Sequence, residues 1–114
     1  MGLSDSNTLP RWYAICALDD ILPDTGVAAL IDAHAVAVFR VGEQVYAIDN
    51  LDPFSAASVL SRGLVCSVGA RIAVASPIYK QHFDLATGEC LEDAARSINA
   101  YAAKVEKGQV FVAR

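Results

Sequence analysis

The histidines and cysteines in this sequence, the side chains best suited to hold iron or zinc, are few and stand apart. There are two histidines, His34 and His82, and three cysteines, Cys16, Cys66 and Cys90, with no Cys-x-x-Cys pair among them. No Ser–His–Asp, Cys–His or paired-carboxylate set assembles along the chain, and Gly63, Gly69 and Gly88 are too isolated to form a phosphate loop. The residues that do fall into a pattern lie in two segments, Asn50–Gly63 (NLDPFSAASVLSRG) and Ser76–Cys90 (SPIYKQHFDLATGEC). Each carries a polar residue followed by proline: Asp52-Pro53-Phe54 in the first, Ser76-Pro77-Ile78-Tyr79 in the second. As a ligand set these are weak. Asp52 suits hard cations, Ser76 and Tyr79 are poor donors to iron at neutral pH, and Phe54 has no donor atom. His82 reads as a solvent-facing or hydrogen-bonded structural histidine, and His34 has no second ligand near it in sequence.

The elements that must position these segments read as short strands. Trp12–Leu18 is rich in aromatic and β-branched residues, and Asp19–Gly26 reads as a loop. Val27–Ile31 and Ala35–Val41 follow, with the break between them near His34. Gly42-Glu43 turns the chain into Gln44–Asp49, giving a hairpin whose first arm is apolar on both faces, as in a buried strand. Val59–Ser61, Leu64–Ser67, Arg71–Ala75 and His82–Leu85 are further candidates. Ala102–Glu106 and Gln109–Ala113 form a hairpin through Lys107-Gly108. Helix propensity at Glu92–Arg96 predicts at most a short helical turn. The whole predicts an all-β domain of roughly eight to ten short antiparallel strands in stacked sheets.

With 114 residues and 54% hydrophobic content, residues 11–114 form one domain with one core, preceded by a flexible N-terminus at residues 1–10. A net charge of −4 and a pI near 4.9 leave no basic footprint for nucleic acid or anionic lipid. No apolar run approaches the roughly 20 residues needed to cross a bilayer. The N-terminal residues lack the apolar stretch of a secretory signal, and the three scattered cysteines do not read as structural disulfides. A cytoplasmic location is expected.

The two segments, taken with their flanks, resemble the two cluster-holding loops of Rieske iron–sulfur domains. Those loops carry Cys-x-His and Cys-x-x-His, because one iron takes two thiolates and the other two imidazoles. Here the matching positions are Asp52 and Phe54, then Ser76 and Tyr79, so all four ligands are replaced. The entering strand Val45-Tyr46-Ala47-Ile48-Asp49-Asn50, the exit Leu60-Ser61-Arg62-Gly63, and Phe83-Asp84-Leu85-Ala86-Thr87-Gly88 follow the same pattern, from about Trp12 to Val112. The interval between Phe54 and Ser76 is longer than usual for a cluster binder.

More narrowly, Asp-Pro-Phe-Ser and Ser-Pro-x-Tyr-Lys-Gln are similar to the small subunits of cytoplasmic, assimilatory NAD(P)H-dependent nitrite reductases. That resemblance implies a heteromeric complex in nitrogen metabolism. The large subunit would carry FAD, a 4Fe–4S cluster and siroheme, and reduce nitrite to ammonia. This chain would be an accessory subunit with no cofactor, metal or catalytic residue of its own, since side chains alone do not supply redox chemistry of this kind. A departure is Ala95–Ala103, where proline is usual in the family, and it leaves the path of the last connection open.

Two expectations concern the loop tip. Phe54 and Tyr79 are expected to fill the space between the loops as an aromatic plug, with Asp52 or Ser76 accepting from the Tyr79 hydroxyl. Pro53, Phe54, Pro77, Ile78, Tyr79 and Lys80 are the suspected contact with the large subunit, with simple packing of the loops as the alternative. Two other functions remain open on the sequence: a Rieske-type electron carrier with altered ligands, and a stand-alone binding module on the same scaffold.

Overall fold

A computed structural model describes residues 11–114, so the expectation of a flexible segment over residues 1–10 lies outside the described residues. Twelve strands run in chain order: β1 Trp12–Ala17, β2 Thr25–Ile31, β3 His34–Val41, β4 Gln44–Asp49, β5 Leu51–Asp52, β6 Ala57–Ser58, β7 Leu64–Val68, β8 Arg71–Ala75, β9 His82–Asp84, β10 Ala100–Tyr101, β11 Ala103–Glu106 and β12 Gln109–Ala113. The only helical elements among the described residues are 3₁₀ turns at Leu18–Asp20, Leu60–Arg62 and Ala94–Arg96. The strands pair antiparallel into three sheets, β1-β12-β11, β10-β4-β3-β2 and β7-β8-β9, plus the small ribbon β5-β6.

The four-stranded sheet is the middle layer, and its composition follows from being covered on both sides. Successive side chains of a strand point to opposite faces. In β3, Val36 and Val38 enter a first core with Ile21, Ile31, Val110 and Val112, beneath the β1-β12-β11 sheet. The intervening Ala37 and Phe39 enter a second core with Leu60, Val74, Phe83 and Leu85, above the β7-β8-β9 sheet. β4 divides likewise, Val45 and Ala47 to the first core and Ile48 to the second. A strand buried on both faces reads as a continuous apolar run, as β3 does. The single core expected from the sequence is therefore two clusters separated by one sheet.

The first strand, the β3–β4 hairpin and the closing hairpin fall where the sequence predicts. Lys107 and Gly108 both have positive φ (51° and 77°), the backbone of a tight two-residue hairpin. The break between β2 and β3 is Asp32-Ala33, one residue before His34. Val59–Ser61 is not a strand. The chain there turns as a 3₁₀ element that drives Leu60 into the second core. That turn also lets Gly63 lie against β8, where a Cβ would strike the Ala75 carbonyl and the Val74 side chain.

The last connection needs no proline. Asp93 caps the Ala94–Arg96 turn by accepting from the Ala95 N–H (3.2 Å). The Ile98 N–H then donates to the Gly88 carbonyl (2.9 Å), and the Asp49 N–H to the Asn99 carbonyl (3.0 Å), which leads β10 onto the edge of β4. Gly88 has φ +80° with the Ile98 carbonyl against it, so no side chain fits there.

Candidate functional site

The two proline loops lie side by side and are built alike. In the first, the Asp52 carbonyl accepts from the Ala56 N–H (2.8 Å); in the second, the Ser76 carbonyl accepts from the Lys80 N–H (3.1 Å). Both turns close on a non-glycine residue with positive φ, Ala56 at 59° and Lys80 at 67°. In both, the leading side chain receives the amide two residues on. The Phe54 N–H donates to Asp52 Oδ1 (2.8 Å), and the Ile78 N–H lies at the limit of a bond to Ser76 Oγ (3.4 Å). An Asp or Ser before proline favours this turn, because proline fixes its own φ and the short side chain replaces the missing backbone donor–acceptor pair.

The leading residues also join the two loops. Ser76 Oγ donates to Asp52 Oδ2 at 2.5 Å, and the two side chains are 1% and 0% exposed. Burial removes water as a competitor for this hydroxyl-to-carboxylate bond. Asn50 anchors the base of the first loop: its Oδ1 accepts from the Ser61 N–H (2.7 Å) and its Nδ2 donates to the Ser58 carbonyl (3.3 Å). His82 anchors the second: its backbone N–H and its Nδ1 both meet the Glu92 carboxylate, at 2.7 and 2.6 Å. Burial opposes ionisation of Glu92, but the His82 backbone and ring contacts outweigh it and hold the carboxyl below its usual range.

The other two positions diverge. Phe54 packs inward against Phe83, ring centroids 6.4 Å apart, and joins the second core. The Arg96 guanidinium covers it, 5.3 Å from the ring centroid, while Arg96 Nη1 donates to the Pro53 carbonyl (3.0 Å). Tyr79 stays in solvent, 57% exposed, beside Ile78 at 42%, with Pro77 and Lys80 also exposed. The expected aromatic plug is therefore half present: Phe54 packs, Tyr79 does not. The acceptors foreseen for the Tyr79 hydroxyl, Asp52 or Ser76, are already bonded to each other, and burying the phenol without a partner is costly. Of the six suspected contact residues, Pro77, Ile78, Tyr79 and Lys80 are thus accessible at the tip, whereas Pro53 and Phe54 are half-buried.

A Rieske cluster does not fit this donor set. It needs two thiolates and two imidazoles converging on two irons. Asp52 spends both carboxylate oxygens on internal bonds, Phe54 has nothing to donate, and Tyr79 is not turned inward to meet Ser76. Among the described residues no group of three or more His, Cys, Asp or Glu side chains is gathered as a metal site.

Two contributions were not visible in the sequence. Arg96 is 43 residues from Pro53, and nothing local marks it as a clamp. His34 looked solitary, yet its Nε2 meets Asp49 Oδ1 (2.8 Å) and the Tyr101 hydroxyl (2.9 Å), and Tyr101 also donates to Asp49 (2.5 Å). Burial works against charge on Asp49, but the bonds from Tyr101, His34 and the Asn99 N–H prevail and lower its pKa. Burial and the neighbouring carboxylate push the Tyr101 hydroxyl up to about 12. This cluster ties β3, β4 and β10 together at the start of the first loop.

Comparison with known proteins places the chain. Residues 11–113 match the family model described as a Rieske-like [2Fe-2S] domain. The chain is 48% identical over 104 residues to the nitrite reductase (NADH) small subunit of Escherichia coli strain K12, covering 90% of this chain and 96% of that protein. The solution structure of the E. coli protein NirD superposes with a TM-score of 0.87 at 46% identity, covering 93% of this chain and 98% of that one. A stretch amounting to 11% of the nitrite reductase [NAD(P)H] large subunit of Klebsiella oxytoca is also similar, 45% identical over 101 residues and 89% of this chain.

Proposed function

The chain belongs to the nitrite reductase (NADH) small-subunit family of Rieske-like domains, and from that premise we propose that it is the cofactor-free accessory subunit of a cytoplasmic NAD(P)H-dependent nitrite reductase. Its partner is the large subunit, to which we assign FAD, the 4Fe–4S cluster, siroheme and the reduction of nitrite to ammonia. The observation that carries the cofactor-free reading is the buried hydrogen bond between Asp52 and Ser76. It spends, in holding the two loops together, the two side chains that would have to be thiolates. Phe54 removes a third ligand outright. An electron-carrying role, which the name of the family raises, would need donors that these positions lack.

The loop tip is the docking surface in this reading, and the large subunit is its occupant. The Klebsiella large subunit supports that choice, because it contains a domain like this one within its own polypeptide. Ile78 and Tyr79 offer an apolar, aromatic centre and Lys80 a charged rim, the composition of an interface hot spot.

Co-purification with the large subunit tests the proposal, with nitrite-dependent NADH oxidation measured with and without this chain. Ile78→Ala combined with Lys80→Glu is expected to weaken association about tenfold or more while leaving the isolated chain folded. Unchanged association and unchanged activity rule out docking at this tip.

A further inference from the structure

The first core is walled by two sheets that pack closely along one side. There β11 packs against β4. On the other side β1 and β2 are each the outermost strand of their sheet, and they do not pair with each other. Between them runs a groove of about 400 Å³, lined by Ala14, Ile15 and Cys16 of one strand and Val27, Ala29 and Leu30 of the other. The volume lies within the range of ligand pockets, roughly 300–1,000 Å³. Burial and nearby Asp20 push the Cys16 thiol up, which keeps this wall neutral.

The Leu60–Arg62 turn packs against β2 near Gly26, but among the described residues the edge itself carries no bulge, charge or proline to blunt it. Its register with β3 is unbroken from Thr25 to Ile31, so there is no bulge, and TGVAALI contains neither charge nor proline. Among the described residues the backbone of Val27–Ile31 hydrogen-bonds only to β3. Leu30 is 75% exposed.

The ends of the edge are different. Asp24 and Asp32 bracket β2; Asp32 Oδ2 accepts from the Tyr13 hydroxyl (2.9 Å) with Arg114 Nη1 3.9 Å away, and the exposed Asp19 and Asp20 stand at the lip of the groove, Asp19 3.9 Å from Arg40 Nη1. Antiparallel pairing of two copies about Ala28 would set Asp24 of each against Asp32 of the other. Like charges directly opposed across strands are destabilising, so the edge disfavours its own copy. Residues 1–10, MGLSDSNTLP, carry one acidic side chain and no basic one, so they do not complement it either.

We propose that the free edge of β2 is a strand-addition site for an extended segment of a partner polypeptide that is apolar at alternate positions and basic at both ends. The backbone of Val27–Ile31 supplies the ladder, the groove takes the inward side chains, and the aspartates select the ends of the incoming strand. This surface is separate from the proline loops, and the inference does not rest on the role given to them.

The test uses the full chain and two end-capped peptides, Lys-Val-Thr-Val-Thr-Val-Lys and its Glu-ended counterpart. Binding is followed by fluorescence anisotropy, and the site is located by amide hydrogen exchange. The lysine-ended peptide is expected to slow exchange across Val27–Ile31 and to bind about tenfold more tightly than the glutamate-ended one at low salt, with the preference shrinking as salt rises. Asp24→Asn with Asp32→Asn, which keeps residue types that tolerate positive φ, is expected to erase that preference without loss of fold. Equal binding of the two peptides overturns the proposal, as does protection elsewhere than β2. A dimer of the chain that itself protects β2 overturns it in favour of a second copy. Binding that appears only after removal of residues 1–10 overturns it in favour of the chain's own N-terminus.

Discussion

The two proline loops share a backbone and differ in what they do with it. Each begins with a polar residue and proline, and each closes through the same carbonyl-to-amide bond four residues on. The first is drawn inward: Phe54 rests on Phe83 under the Arg96 guanidinium, and Asp52 is sealed from solvent. The second is pushed outward, with Ile78, Tyr79 and Lys80 in water. A scaffold that binds a cluster has to treat its two loops as equal partners, because each contributes one thiolate and one imidazole. Once the ligands are gone that constraint disappears. The thiolate positions of this chain have become an internal clamp, one imidazole position a packing residue and the other a surface residue.

The sharpest break in this comparison comes from the clamp. Asp52→Ala leaves the Phe54 N–H and the Ser76 hydroxyl buried without an acceptor and opens a small void. It is expected to destabilise the fold by about 2–4 kcal/mol in urea unfolding. A loss below about 0.5 kcal/mol means the clamp does not hold the loops together.

Next come the two aromatic positions. Phe54→Ala removes the contacts with Phe83 and Arg96 and is expected to cost about 1–3 kcal/mol. Tyr79→Ala removes an exposed ring and is expected to stay within about 0.5 kcal/mol. Similar losses at both positions erase the asymmetry.

The smallest effects are in pH dependence, away from the tip. Asp84 is disfavoured as an anion by burial, but the Arg71 guanidinium and the amides of Ala86 and Thr87 outweigh this and lower its pKa. A lowered carboxyl contributes stability that is present above the unfolded value and lost as pH falls through the folded one. Asp84→Asn should therefore flatten the acid limb of the thermal midpoint against pH. Tyr101 is shifted the other way, up to about 12, so its contribution is complete below the unfolded value near 10 and lost as pH rises through the folded one. Tyr101→Phe should flatten the alkaline limb. An unchanged limb in either variant removes that group from the account.

Much of the fold is legible along the chain because it is written in local patterns. The β3–β4 and β11–β12 hairpins are marked by turn glycines between apolar runs, and β8 by RIAVA after Gly69. The replaced ligand positions are legible for the same reason, since each loop carries its own signature. What the sequence hides is set by distance or brevity. β5, β6 and β10 have two residues each, too few to show a period. Val59–Ser61 is apolar enough to pass for a strand, and only the second core decides that Leu60 enters it from a turn. The Asp52–Ser76 bond spans 24 residues and the Arg96–Pro53 bond 43, so neither leaves a trace in spacing. The aromatic plug failed at Tyr79 because its size suggested filling a gap that Asp52 and Ser76 had already closed.

The central claim is that the tip makes contacts and carries no electrons. The most direct test is iron quantitation and visible spectroscopy on the full chain purified without oxygen. The account predicts no bound iron and a featureless visible spectrum; stoichiometric iron with Rieske-type absorption contradicts it.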